Sequence, residues 1–438
     1  MEMIEKIKSA GVVGAGGAGF PSHVKLNTKA DIVIVNGAEC EPLLRVDQTL
    51  MELESDKLVY GLSKAMEIVE AKRGVICLKG KYKNAIANLE KAIERYNSID
   101  IQVIDDYYPA GDEQQLIFEV TQKVIPISGL PKDVGAVVHN VNTLLNIADA
   151  LNSKNVTHKH VTVTGEVETP ITVEVPIGCD ISLIIDMAKL KIPKQDATLI
   201  IGGPMMGRVS YNFNERVTKT MGGIIVLPKT HTLITRKDKD IERELKLAKA
   251  ICCQCNNCSL ICPRNDLGLG TSPHKVMRAF AHESAEALGN VNHIFSCCDC
   301  GLCTHYGCEF GLSPGRIMTM FKRNLLQEGV KPVKEIPNEP NNIREYKKVP
   351  TRRLIGRLGL KQYDNKAPLV DFVKVNEVNI DLRQHIGAKS VPCVKEGQRV
   401  SCGDIIAEIP QNSLGANIHA SIDGTVKSVN DDFITIQA

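Results

Sequence analysis

Fifteen of the 438 residues are cysteines. Eight of them fall into two runs of nearly the same spacing, Cys252-x2-Cys255-x2-Cys258-x3-Cys262-Pro263 and Cys297-x2-Cys300-x2-Cys303-x4-Cys308. Thiolates at these intervals hold [4Fe–4S] clusters, with three closely set cysteines on one cube and the fourth ligating the other. A pair of such cubes moves single electrons. Zinc more typically takes two separated pairs of ligands, and disulfide staples suit short secreted chains rather than one of this length with no apolar signal segment before Gly11. In the swapped arrangement one cube takes Cys252, Cys255, Cys258 and Cys308, and the other takes Cys297, Cys300, Cys303 and Cys262. Cys253 and Cys298 sit beside the first ligands, and using them would leave a single residue before Cys255 or Cys300.

The elements around these runs are helical. Ser272-Pro273 and Ser313-Pro314 each offer an N-cap followed by proline at the first helical position, predicting helices over 275–280 and 316–326. The cysteine region, 236–326, therefore reads as an α-helical ferredoxin-type two-cluster domain rather than a small β-rich one. The length suggests about three domains or more. A net charge of +2 gives no pull toward nucleic acid. No apolar stretch approaches a membrane span, so a soluble protein is expected, and thiol ligands imply a reducing, cytoplasmic compartment. The other seven cysteines (Cys40, Cys77, Cys179, Cys253, Cys298, Cys393 and Cys402) are expected to be small buried hydrophobes.

Upstream, the first 150 residues alternate strand and helix patterns. Strands are predicted at 31–36, 74–79, 101–105 and 136–140, with helices near 50–71, 82–96, 113–123 and 142–151. Such alternation argues for a parallel sheet covered by helices, with ligands at the carboxyl ends of its strands. The polar segments at those ends are Asn36-Gly37-Ala38-Glu39-Cys40-Glu41-Pro42, Ala110-Gly111-Asp112-Glu113 and His139-Asn140-Val141-Asn142-Thr143. A glycine-rich stretch, Gly14-Ala15-Gly16-Gly17-Ala18-Gly19-Phe20-Pro21, followed by Lys25, opens the domain. Backbone amides without neighbouring side chains can approach a phosphate, and a lysine can neutralise it. The stretch is neither a Walker loop nor a dinucleotide fingerprint.

Together these four segments resemble the flavin site shared by the NADH-oxidising subunit of respiratory complex I, the C subunit of the Rnf electron-transport complex and the cobalamin reductases of propanediol-utilisation microcompartments. The resemblance implies that residues 1–153 form an α/β domain binding FMN and NADH. Gly14, Gly16, Gly17 and Lys25 would hold the FMN phosphate. Asn36, Glu39, Gly111, Asp112, Asn140 and Thr143 would line the rest of the flavin pocket, and Phe20 and Glu41 would face the nicotinamide nucleotide. Ala38 stands where complex I has aspartate, Asp112 replaces a glutamate, and Asn142 stands where the asparagine-rich segment has glutamate.

Residues 156–228 resemble the soluble-ligand-binding β-grasp module of the same family, with strands at 161–167, 171–175, 199–201 and 223–227 and a helix at 181–190. Its segment Gly202-Gly203-Pro204-Met205-Met206-Gly207 reads as a packing turn, or as a contact to a cofactor or partner. Residues 327–369 read as a solvated linker, whose basic stretch 347–357 is the alternative candidate for a handle on an acidic protein. Residues 370–438 resemble a biotinyl/lipoyl-like sandwich without a modifiable lysine at a hairpin tip, and His385 within it reads as structural rather than a ligand. In the Rnf protein the sandwich precedes the flavin loop. Here it comes last, as in the microcompartment cobalamin reductases.

The resemblance implies a reductase that takes electrons from NADH through FMN and two [4Fe–4S] clusters to cobalamin, from cob(III)alamin to cob(I)alamin, inside a bacterial microcompartment. Implied partners are cobalamin itself or a corrinoid-handling enzyme such as an adenosyltransferase, and a shell or electron-transfer protein. No Asp-x-His-x-x-Gly motif is present, so a corrinoid would be met transiently. The alternatives are an Rnf-C-like or NADH-recycling protein with another acceptor, and a non-enzymatic electron relay.

Overall fold

The computed structural model describes residues 1–372 and 374–438. In the first part of the chain, strands β1 (Ile32–Gly37), β2 (Arg73–Lys79), β3 (Ile99–Ile104) and β5 (Ala136–Asn140) make a four-stranded sheet in the order β3-β2-β1-β5, while β4 (Tyr107–Tyr108) leaves it. All three pairings are parallel. Parallel neighbours need long crossovers, and helices Ser55–Val69, Lys83–Ile93 and Glu113–Thr121 supply them. Both faces are covered, so β1 is apolar along its length: Val33 and Val35 face one core, Ile32 and Ile34 the other. The order places a topological switch between β1 and β5, with Asn36 paired in register with Asn140.

The single helix expected near 50–71 is two helices, Val46–Leu53 and Ser55–Val69, broken at Glu54. The first starts earlier than its apolar pattern suggests because the amides of Asp47 and Gln48 donate to the Glu39 carboxylate, at 3.1 and 2.8 Å.

A second, six-stranded mixed sheet holds β6 (His158–Gly165), β7 (Ile171–Pro176), β8 (Ala197–Ile201), β9 (Arg208–Ser210) and β10 (Gly223–Pro228), with β6 and β10 a parallel pair. Helix Ile181–Ala188 starts at Asp180, whose side chain accepts from the Ser182 amide. The cysteine region is built of helices and turns. Pro273–His282 and Pro314–Gln327 start at the expected prolines, but neither preceding serine caps its helix, and the Ser272 hydroxyl donates to the Gly270 carbonyl instead. The carboxyl end holds two small antiparallel sheets.

In the stretch read as a solvated linker, 328–334 is exposed, whereas the part from Arg344 on packs against the rest of the chain as a strap. Arg344 is buried, bonded to Glu119 at 2.6 Å and Gln115 at 2.7 Å, and lies over Phe118. Lys347 pairs with Asp266 and Lys348 with Glu119, so these two lysines neutralise this chain's own carboxylates, while Arg352 and Arg353 are exposed. Val349 and Pro350 pair with β4, and Leu369–Val370 extends the second sheet beside β7. His385 accepts the Ala416 amide at 3.0 Å and is structural. Of the seven spare cysteines Cys77 and Cys179 are buried, whereas Cys253, Cys393 and Cys402 are exposed.

Lys219 ties three parts together: its ammonium, in the second module, donates to Gly11 and Asn417 carbonyls at 2.7 Å each. Burial lowers its pKa from 10.5 to about 7. Between those values the unfolded chain binds the extra proton, so this group adds stability as pH rises through the window. Denaturant midpoints compared near pH 7 and near pH 10 are expected to rise less in Lys219→Met than in the parent, and an unchanged pH slope would contradict the assignment.

Candidate functional site

A cavity of about 1010 Å³ opens at the switch between β1 and β5. Gly16, Gly17, Asn36, Glu39, Glu41, Gly111, Asp112 and Asn140 line it, together with Cys298 and Cys300 from the second cysteine run. Gly14, Phe20, Lys25 and Thr143 are not among the residues lining it. Gly14 closes the glycine loop through bonds with Phe20 and Gly19. Thr143 accepts the Ala15 amide at 2.9 Å. Lys25 pairs with Glu113 at 2.7 Å, and Glu113 itself reaches the wall.

The glycine loop suits an anion. Among the described residues the amides of Gly16, Gly17 and Ala18 donate to no protein acceptor. Gly17 has φ of +117° and no atom within 4 Å of where a Cβ would sit, whereas a Cβ on Gly16 would come within 3.2 Å of Asn140. Three consecutive unengaged amides, the middle one on a glycine of positive φ, suit an anion such as a phosphate.

Asn36 donates to the Gly111 carbonyl at 2.9 Å and Asn140 to Asp47 at 2.7 Å, fixing both carboxamides at the strand ends. Glu39 sits at the start of helix Val46–Leu53, where the helix dipole favours its charge although burial still raises its pKa. Glu41 reaches the second module: its oxygens accept the Met205 and Met206 amides at 2.8 and 2.9 Å. Gly203 is required there, since a Cβ would lie 2.1 Å from Glu41 Oε2. The 202–207 segment is thus both a packing turn and part of the cavity wall. Withdrawal from water raises the Glu41 pKa even against these amides.

Sequence reasoning missed Lys159 and Asp47. Lys159, on β6, is buried on the cavity wall and donates to the Ala15 carbonyl and Asn142, both at 2.9 Å. Burial pushes the ammonium down, and burial with the neighbouring Glu39 pushes Asp47 up. Asn142, at one of the departures from the complex I pattern, is the only signal that a donor would be needed there.

Cys258 lies within electrostatic reach of Cys308, Cys252 and Cys255, and Cys303 within reach of Cys297, Cys262 and Cys258. Both runs also fold alike: Gln254 and Asp299, two residues past each first cysteine, have φ of 56°, and Asn256 and Gly301, two further on, have φ of 66° and 75°. Left-handed backbone is uncommon outside glycine, so its recurrence at matching offsets marks two loops wrapped around like objects. No three of these side chains close on one point among the described residues. Burial pushes Cys258 and Cys262 up to about 12, so as free thiols they stay protonated, and iron binding must release their protons.

Cys308→Ser is expected to lose one cluster's iron, while Cys298→Ser keeps a full complement, measured by iron and sulfide analysis after anaerobic reconstitution. Lys159→Met is expected to weaken FMN retention by roughly tenfold or more, in line with a charged hydrogen bond of about 1.5–3 kcal/mol; unchanged flavin content in equilibrium dialysis would count against a role for Lys159.

Three family models match the chain: the Nuo51 FMN-binding domain over residues 7–149, a 4Fe-4S dicluster domain over 251–313 and the RnfC barrel sandwich hybrid domain over 357–437. The chain is 42% identical over 438 residues to cobalamin reductase PduS of Salmonella typhimurium, covering 99% of this chain and 96% of that one. To PduS of Citrobacter freundii it is 40% identical, covering 99% and 95%. One component of the Na+-translocating ferredoxin:NAD+ oxidoreductase complex of Acetobacterium woodii is 35% identical over 263 residues, 59% of this chain and 56% of that one. Among solved structures, NAD+-reducing [NiFe]-hydrogenase in the H2-reduced state aligns with TM-score 0.50 and 20% identity over 76% of this chain and 63% of that one, a likeness of fold. No helix among the described residues is long and apolar enough to cross a membrane.

Proposed function

The chain belongs to the cobalamin reductase family represented by PduS of Salmonella typhimurium, and from that premise we propose that it draws electrons from NADH and delivers them to the cobalt of a corrinoid. It is an oxidoreductase with an FMN domain and a two-cluster [4Fe–4S] domain. The observation carrying the proposal is one cavity whose wall holds both the switch-point residues Asn36 and Asn140 and the cysteine Cys300. A flavin held between the two asparagines would share that cavity with Cys300.

FMN, when bound, exchanges electron pairs with a nicotinamide and single electrons with clusters. The residues of this chain bind and orient it. The amides of Gly16, Gly17 and Ala18 receive the phosphate, with Lys159 also on the cavity wall. Asn36 and Asn140 offer amide groups to the flavin edge. Glu41 keeps lone pairs for ribose hydroxyls beyond the two amides it accepts. We assign nucleotide recognition to Glu41, which lines the cavity, rather than to Phe20, which does not. Cys262, Cys297, Cys300 and Cys303 would hold the inner cube, and Cys252, Cys255, Cys258 and Cys308 the outer one.

We read the chain as an FMN domain (1–153), a β-grasp module (156–228), a helical cluster domain (236–326), a linker that ends in the strap (327–369) and a sandwich (370–438). Family membership also supports residence in a bacterial microcompartment and hand-over of reduced corrinoid to an adenosyltransferase.

Anaerobic NADH is expected to bleach the visible band of the FMN-loaded protein and, with cob(III)alamin present, to produce the spectrum of reduced cobalamin. Bleaching without cobalamin reduction would redirect the proposal to another acceptor, and no bleaching would remove NADH as donor.

A further inference from the structure

Arg264 stands two residues after Cys262 and is 9% exposed. Its Nη2 donates to Asp112 Oδ1 at 2.6 Å, with both side chains almost covered. Asp112 lines the flavin cavity and Arg264 does not, so the guanidinium lies on the cysteine side of the wall. There the thiols of Cys298 and Cys297 lie within electrostatic reach of it. The Arg264 Nε is buried and has no acceptor.

A buried guanidinium with an unengaged N–H is unfavourable unless an anion completes it. Four thiolates around an iron–sulfur cube are such an anion. Net charge and hydrogen bonds to sulfur set the potential of a cube, and a charge acts strongly where water is excluded. Arginine keeps its charge at every accessible pH.

We propose that Arg264 is a potential-setting residue: it raises the reduction potential of the cube held by Cys262, Cys297, Cys300 and Cys303, and Asp112 opposes it across the cavity wall. The inference rests on the cluster reading above. It gives the pair opposite effects on one cube. Arg264→Gln removes the cation and leaves the carboxylate, so the potential falls. Asp112→Asn leaves the cation uncompensated, so the potential rises. A merely structural pair would give no reversal of sign.

The test is an EPR-monitored redox titration of the anaerobically reconstituted full chain and of R264Q, R264K and D112N. The expected result is one midpoint lowered in R264Q, the same midpoint raised in D112N, the other unmoved in both, and R264K close to the parent. Midpoints that stay put in both R264Q and D112N, or move in the same direction, overturn the proposal. Should R264Q fail to assemble its clusters, D112N decides alone, because only an upward shift agrees. Iron and sulfide analysis of the parent protein separates the two levels: a parent without two cubes defeats the cluster reading itself, whereas two cubes with unresponsive midpoints defeat only the role of Arg264.

Discussion

Parallel strands cannot be joined by a tight turn, and the first sheet obeys that constraint by sending helices across both its faces. Because β2 and β3 build out from one side of β1 and β5 from the other, the crossovers diverge between β1 and β5. The gap cannot be filled by the sheet itself. Asn36 and Asn140, adjacent in register, face it from the two strand ends, and Glu39 is drawn to the start of the next helix. Every other part of the molecule that touches the cavity is positioned relative to that gap.

Side chains from distant parts then close it. Glu41 clamps the 202–207 turn, and Lys159 reaches back from β6 to Ala15 and Asn142. On the cysteine side Tyr108 donates to the Cys300 carbonyl at 2.8 Å, Gln115 to the Pro263 carbonyl at 2.8 Å, and Arg264 meets Asp112. Buried polar groups satisfied only by partners from another segment hold that segment in place, because separating them leaves each without an acceptor or donor. The strap does the same behind the site through Arg344 and Glu119. The cofactor pocket and the cluster region are thus a single packed unit.

The cysteine ligands and the glycine loop were legible in the sequence because their chemistry is local: four thiols or three amides within one short stretch declare themselves by spacing. The alternating strands and helices of the first domain were legible for the same reason. Lys159, Arg264 and Arg344 were not, since their partners lie 144, 152 and 225 residues away and nothing in their immediate surroundings marks them as buried. Lys347 and Lys348 read as solvated until the carboxylates that neutralise them, Asp266 and Glu119, are known.

The central claim is that one cavity serves both the flavin and the inner cluster. A structure of the anaerobically reconstituted holoprotein tests it most directly. The account predicts flavin density between Asn36 and Asn140, with its phosphate at Gly16 and Gly17, and a four-iron cube on Cys262, Cys297, Cys300 and Cys303 behind the same wall. A flavin bound elsewhere, or a cube that takes Cys308 in place of Cys262, would contradict it.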